Sequence, residues 1–285
     1  DYAPIPALST PAQIIQTAEK TNGNESNQLS IGMRLADNLE SGDYRNKLIL
    51  SFVSNPYATR SSLVSGRTFN SIVRDLQTST GNIKHIGRSP TPPSSNQTTR
   101  TVGDTTNPES DADTIVWLDS NADNTLYYYS EANKILLNRD SSGMFWTIEE
   151  VADIDVSTFD TSAVENMYDM FSNTHNLTSL DLSNFDTRNV TVMKDMFYNT
   201  YKLKTINLSS FDTRNVTDMR GMFKDSRTLE TLNLSNFDTS KVTSMTEMFS
   251  GASALVSLNL SNFNTSNITD MISMFAKTAS LKNLN

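Results

Sequence analysis

Nucleophilic and metal chemistry has few residues to work with in this sequence. Cysteine is absent, and His85 and His175 are the two histidines among 285 residues. Disulfides, Cys-ligated zinc and thiolate nucleophiles are excluded, and a His-based triad or metal site has almost no imidazole to draw on. His85 falls in an apolar stretch that reads as a strand, with no partner motif beside it. His175 shares its slot with Tyr201, Arg227, Ser253 and Ala279, which marks a variable surface position. The carboxylates offer two patterns. Asp119-x-Asn121-x-Asp123-Asn124 begins like an EF-hand loop, but Asn124 stands where such a loop needs Gly, and Ser130 where it needs Glu. An Asp/Asn hairpin turn is therefore expected there. Asp160, Asp186, Asp212 and Asp238 recur in register. Acid–base catalysis needs one pair in divergent environments, not the same carboxylate in every unit. Each Asp and its following Thr are expected to satisfy turn amides. No metal, no cofactor and no enzymatic activity is read from these residues.

Recognition chemistry is better supplied. Tyr198, Tyr201, Lys202, Lys224 and Arg227 fall in bends of adjacent units, where the units differ most. Arg188 with Arg214, and Lys194 with Arg220, recur one unit apart. Tyr and Arg are the usual anchors of interfaces, so these nine residues form the candidate ligand-binding face. It suits a sulfated glycan or an acidic protein; the bland alternative is solvated variable surface. A competing face carries Asp155, Asp181, Asn207, Asn233 and Asn259, small and polar without aromatic anchors. The formal net charge of −9 argues against nucleic acid as the main partner and against a polybasic membrane arm. The best apolar run, residues 47–53, is strand-sized, so direct membrane insertion is not expected.

These residues are positioned by a repeat. Phe159, Phe185, Phe211, Phe237 and Phe263 are spaced by 26 residues each time. Met-Phe pairs from Met144-Phe145 to Met274-Phe275 keep that register, as do Leu177, Leu203, Leu229, Leu255 and Leu281. Within one unit, Leu177, Leu180 and Leu182 give L-x-x-L-x-L, a strand with alternating faces. Phe185 is expected to build a stacked spine. Val190, Met193, Met196 and Phe197 then predict a helical face of about two turns. The slot three residues after the Phe of each Met-Phe pair is small (Thr174, Thr200, Ser226, Ala252, Thr278), which lets helix and next strand approach closely. The Met stripe reads as core. One unit cannot bury its apolar stripe alone, so the units must stack.

The run Leu180-Asp181-Leu182-Ser183-Asn184-Phe185-Asp186-Thr187-Arg188-Asn189-Val190-Thr191-x-Met193-x-x-Met196-Phe197 resembles the repeat of BspA-like leucine-rich repeat bacterial surface proteins. The lead-in Thr125–Ile135 is similar to the segment before the array in that family. The resemblance implies a bacterial cell-surface or secreted adhesin. Its partners would be a host extracellular-matrix protein, mucin or sulfated glycan. Many members carry Cys in the small slot, where this chain has Thr, Ser or Ala.

The expected fold class is α/β, a leucine-rich repeat solenoid with a short strand and short helix per unit and an N-terminal α+β cap region. Residues 1–28 read as a flexible lead and 29–88 as a small α+β region, with strands at 29–36 and 46–54. Phe69, Ile72, Val73 and Leu76 predict a helix in it, and Ile83 and Ile86 a further strand. Residues 89–113, with Pro90, Pro92 and Pro93, read as a linker or long loop. Residues 114–140 read as a β-hairpin cap with Trp117, Tyr127, Tyr129 and Trp146 as its core, because a solenoid end needs cover. Residues 141–285 are the array, expected to be truncated at its C-terminal end. Two functions are expected in order: a surface binding module acting through the array, or a stalk that presents another region.

Overall fold

A computed structural model describes residues 60–108 and 110–285. The expected lead and the strands at 29–36 and 46–54 lie outside the described residues. The class is mixed α/β, with mostly short strands and one α-helix among the described residues.

The chain enters through β1 (Arg60–Ser62) and α1 (Gly66–Thr80). Ser65 caps α1, its hydroxyl accepting from the Thr68 amide. Phe69, Val73 and Leu76 are buried at the spacing read from the sequence. The next strands are β2 (His85–Arg88), β3 (Thr99–Thr101), β4 (Thr114–Asp119), β5 (Thr125–Ser130) and β6 (Lys134–Leu136). β7 (Asp153–Ile154) joins β2, giving a five-stranded sheet ordered β3-β4-β5-β2-β7. β4 and β5 form the expected antiparallel hairpin, while β2 runs parallel to β5 and β7. β6 leaves that sheet and pairs in parallel with β1 and with β8 (Phe159–Asp160). Residues 89–113, expected as linker or loop, carry β3, which pairs with β4, and Val102 there is fully buried.

The hairpin core differs from expectation. Val116, Leu126 and Tyr128 face the core, whereas Tyr127 and Tyr129 lie on the opposite, half-open face, where Tyr127 packs on the buried Trp117 ring at 5.6 Å; Trp146 is only half-buried. Side chains alternate across a strand, so only one of two adjacent tyrosines can face inward. The inward one is Tyr128, whose hydroxyl donates to the Asp155 carbonyl; burial pushes its phenol up to about 12.

The repeats stack in parallel. β9 (Ser179–Asp181) pairs with β10 (Thr205–Asn207), and β11 (Ser257–Leu258) with β12 (Asn283–Leu284). A second line of parallel bridges runs Asp140, Asn166, Val192, Asp218, Ser244 and Asp270. The short helix expected after each Phe is not there; the segment is a string of turns. Alternate amides of Met193, Asp195, Phe197 and Asn199 donate to Asp218, Arg220, Met222 and Lys224 of the next unit, not to carbonyls one helical turn back. Positive φ at Asp195 (52°) and Asn199 (59°), repeated at Asp169 and Asn173, breaks the helical path. The apolar spacing that reads as helical is satisfied by these turns, which still bury Val190, Met193, Met196 and Phe197.

The aromatic spine also lies elsewhere than expected. Phe145, Phe171, Phe197, Phe223, Phe249 and Phe275, from the Met-Phe pairs, stack in sequence at 5.3–5.8 Å between centroids. In the Phe185 series, Phe211 and Phe237 stack at 6.3 Å. Asn184 beside Phe185 donates back to the carbonyls of Val156 and Phe159 of the preceding unit. The small slot is buried at Thr174, Thr200, Ser226 and Ala252 and partly open at Thr278, and the Thr200 hydroxyl donates to the Phe197 carbonyl.

Candidate binding face on the turns

The Asp-Thr pair shows why the carboxylate ladder is structural. Asp186 and Asp212 each accept the amide two residues on, from Arg188 and Arg214. Buried Thr187 accepts the Asp212 amide at 2.8 Å and donates to the Asp212 carbonyl at 3.0 Å. The same rung joins Thr161 to Asp186 and Thr213 to Asp238. In the Asp119 loop, Asp119 accepts the Asn121 amide and caps a one-turn 3-10 segment, Ser120–Ala122. Asp123 there pairs with Lys84 at 2.6 Å.

Both histidines have partners that sequence spacing does not show. His85 Nδ1 lies 2.6 Å from Asp153 on β7, and its Nε2 lies 3.6 Å from Asp123. The parallel register that sets His85 opposite Asp153 is a tertiary pairing. His175 stacks on Tyr201 at 4.6 Å, and the Arg227 guanidinium covers Tyr201 at 4.5 Å. The slot His175 shares with Tyr201 and Arg227 is the signal for this stack: equivalent positions of stacked units are neighbours.

The nine candidate residues divide into groups. Lys194, Tyr198, Arg220 and Lys224 come together with Asp195, Gly221, Thr246 and Glu247 around one concavity of about 310 Å³, drawn from three consecutive units. Tyr201 and Arg227 belong to the separate His175 stack, where Tyr201 is held between two neighbours. Arg188 and Arg214 lie on the Asp-Thr turns, held by Asp186 and Asp212. Lys202 is exposed.

The concavity is not a bare basic patch. Lys224 meets Glu247 at 2.7 Å, and that hydrogen bond holds its ammonium above the ordinary value. Arg220 is held by both oxygens of Asp218, with the same effect on its guanidinium. Lys194 lies 3.7 Å from Asp195 and 5.1 Å from the Tyr168 ring centroid. Lys224 also lies 5.5 Å from the Tyr198 ring centroid.

Asp195, absent from the sequence candidates, is the most perturbed group here. Burial pushes its carboxyl up to about 6, with Asp169 and Asp218 adding to the rise and Lys194 and Lys224 opposing it. It occupies the space left by Gly221, where a Cβ would overlap a carboxylate oxygen. Gly221 also has φ +58°, a conformation that favours glycine. Asp169, Asp195, Gly221 and Glu247 share one repeat slot, and reading that column down the array brings out the acidic side of the site. The arrangement places donors, acceptors and one aromatic ring in a shallow recess, which is binding chemistry. Among the described residues no group of His, Asp and Glu is arranged to hold a metal ion.

No curated protein and no solved structure was found to match the chain. The family model described as "Mycoplasma protein of unknown function, DUF285" matches residues 138–229 and again 202–285. The two matches overlap across the repeats, beginning just before the bridge at Asp140 and running through β12, and together cover just over half of the chain. The chain belongs to the DUF285 family.

Proposed function

We propose that this chain is a binding module of a bacterial cell-surface or secreted protein, engaging a host glycoprotein or extracellular-matrix ligand through the turn face of its repeats. The finer reading of the array is a solenoid of the BspA-like leucine-rich repeat kind. Its support is the parallel bridging of equivalent residues between units and the L-x-x-L-x-L strand, with Leu177, Leu180 and Leu182 buried.

The observation that carries the functional reading is the recess formed by Lys194, Asp195, Tyr198, Arg220, Lys224 and Glu247. Variable polar side chains from three units converge there on an otherwise regular scaffold. Function is usually carried where a rigid scaffold lets its connecting segments vary. The charges are paired, so the recess matches a polar, hydrogen-bonding partner better than a highly charged polyanion. Weak binding at one recess would be raised by many copies on one surface.

A second reading, a stalk presenting another region, is favoured by the same pairing. A spacer needs neutralised surface charge, and Arg188, Arg214, Arg220 and Arg227 each lie against a carboxylate two residues away.

The test is binding of the full chain to immobilised fibronectin, fibrinogen, collagen, mucin and heparin. The expected result is saturable binding to at least one. Combined Tyr198→Ala and Lys224→Ala should weaken it about tenfold or more, as loss of an interface anchor does. Arg100→Ala, at an exposed position of β3 away from the turn face, should leave it unchanged. Equal binding by the double variant would remove the recess from the account, and no binding at all would leave the stalk.

A further inference from the structure

A second concavity lies away from that recess, between the exposed face of α1 and the first turn of the array. It measures about 510 Å³, within the range of small-molecule sites. Arg67, Ser71, Arg74, Gln77, Asn82 and Trp146 line it.

Its floor is built rather than incidental. Asn70, almost fully buried, donates from one amide nitrogen to the carbonyls of Met144 and Trp146. This fixes the turn that carries Trp146 against α1. The Arg67 guanidinium lies 4.8 Å from the Trp146 ring centroid and that of Arg74 lies 5.7 Å from it. Gly143 leaves the room that Arg67 fills; a Cβ there would overlap its guanidinium.

The two arginines are not equivalent. Arg67 is bound to Asp169 at 3.0 Å and ties the helix to the array. Arg74 is exposed, faces the same ring, and has no carboxylate partner among the described residues. Asp75, the carboxylate in the lining, is engaged in an interaction of its own. Among the cations of the two concavities, Arg74 is thus the one whose fork is open to a ligand anion.

We infer that this groove binds a saccharide bearing one oxyanion, a carboxylate or a sulfate, with Arg74 as its bidentate partner. Guanidinium geometry matches a planar or tetrahedral oxyanion through two parallel N–H donors. Ser71, Gln77 and Asn82 supply donors and acceptors for ring hydroxyls, and Trp146 supplies the apolar platform. A peptide would need apolar pockets for its side chains, and the lining offers none beyond Trp146. The site uses no residue of the recess on the turns, so either can fail alone.

The experiment is calorimetric titration of the full chain with glucuronate, with N-acetylglucosamine 6-sulfate and with neutral N-acetylglucosamine. The expected result is saturable binding of at least one acidic sugar and none of the neutral one. A preference between the two acidic sugars identifies which oxyanion the groove takes. Arg74→Ala should weaken that binding about tenfold or more, the usual loss for a charge-assisted pair. Arg74→Lys should fall between, keeping charge without the fork, and Arg100→Ala, at an exposed position of β3 outside both concavities, should bind like the parent. Circular dichroism of each variant checks the fold. Arg74→Ala binding as tightly as the parent would overturn the proposal, as would equal binding of the neutral sugar. No binding of either acidic sugar, or binding of a tetraglutamate peptide in their place, would also overturn it.

Discussion

At the scale of single residues, the repeat frees some positions for recognition by assigning others to architecture. Thr187 is buried with its hydroxyl bound to the backbone of the next unit, and Asp186 is engaged through one carboxylate oxygen by the amide and side chain of Arg188. Asp195 is different: burial holds its carboxyl at about 6, above the ordinary 3.8. The folded chain keeps that proton over a range where the unfolded chain has lost it. Stability from the protonated form is therefore full below about pH 4 and is lost as pH rises through about 6. Asp195→Asn keeps the shape and removes the buried charge. It should match the parent near pH 4 and be more stable at pH 7 by up to about 3 kcal/mol, the cost of ionising a carboxyl held that far above its ordinary value. Urea melts at the two pH values check this, and a difference independent of pH would contradict it. Gly221→Ala would force a side chain into a φ +58° conformation and against Asp195. The expected cost is about 1–3 kcal/mol in the same melts.

At the scale of elements, the unit is a strand of at most three residues followed by turns held by hydrogen bonds to the neighbouring unit. Thr187→Val keeps shape but leaves the Asp212 amide and carbonyl without their buried partner. A loss of about 2–4 kcal/mol is expected by urea denaturation, since each orphaned group costs about 1–3 kcal/mol. Much of this element was legible from sequence. Leu180 and Leu182 alternate as a strand must, and both are buried in or beside β9. The α1 helix was legible because its apolar face, Phe69 to Leu76, follows one uninterrupted period. The segment from Val190 to Phe197 misleads because i, i+3, i+6 and i+7 also fits turns that point apolar groups inward. Positive φ at an Asp or Asn is decided by tertiary hydrogen bonds, so Asp195 and Asn199 give no warning by themselves; the warning lies in other units, where Gly143 and Gly221 fill the Asp195 slot and Gly251 the Asn199 slot. Tyr128, rather than Tyr127 and Tyr129, faces the core, and a strand with three successive tyrosines does not declare which face is buried.

At the scale of the whole molecule, a stack converts sequence columns into surface columns. That is why Lys194 and Arg220, or Tyr198 and Lys224, can be paired from spacing and why both pairs line one recess. Contacts outside the period stay hidden: His85 with Asp153, Arg67 with Asp169 and the Arg74–Trp146 groove join distant parts of the chain. The carboxylates that neutralise the array's cations are visible in the sequence as residues but not as partners. The binding claim is tested most directly by amide hydrogen exchange of the full chain, alone and with fibronectin or mucin glycopeptides. The expected result is ligand-dependent protection at residues 194–198, 220–224 and 246–247, three stretches joined only by the stack. Protection confined to the strand face around Asp181, Asn207 and Asn233, or to Gly66–Thr80 alone, would contradict it, as would no change with either ligand.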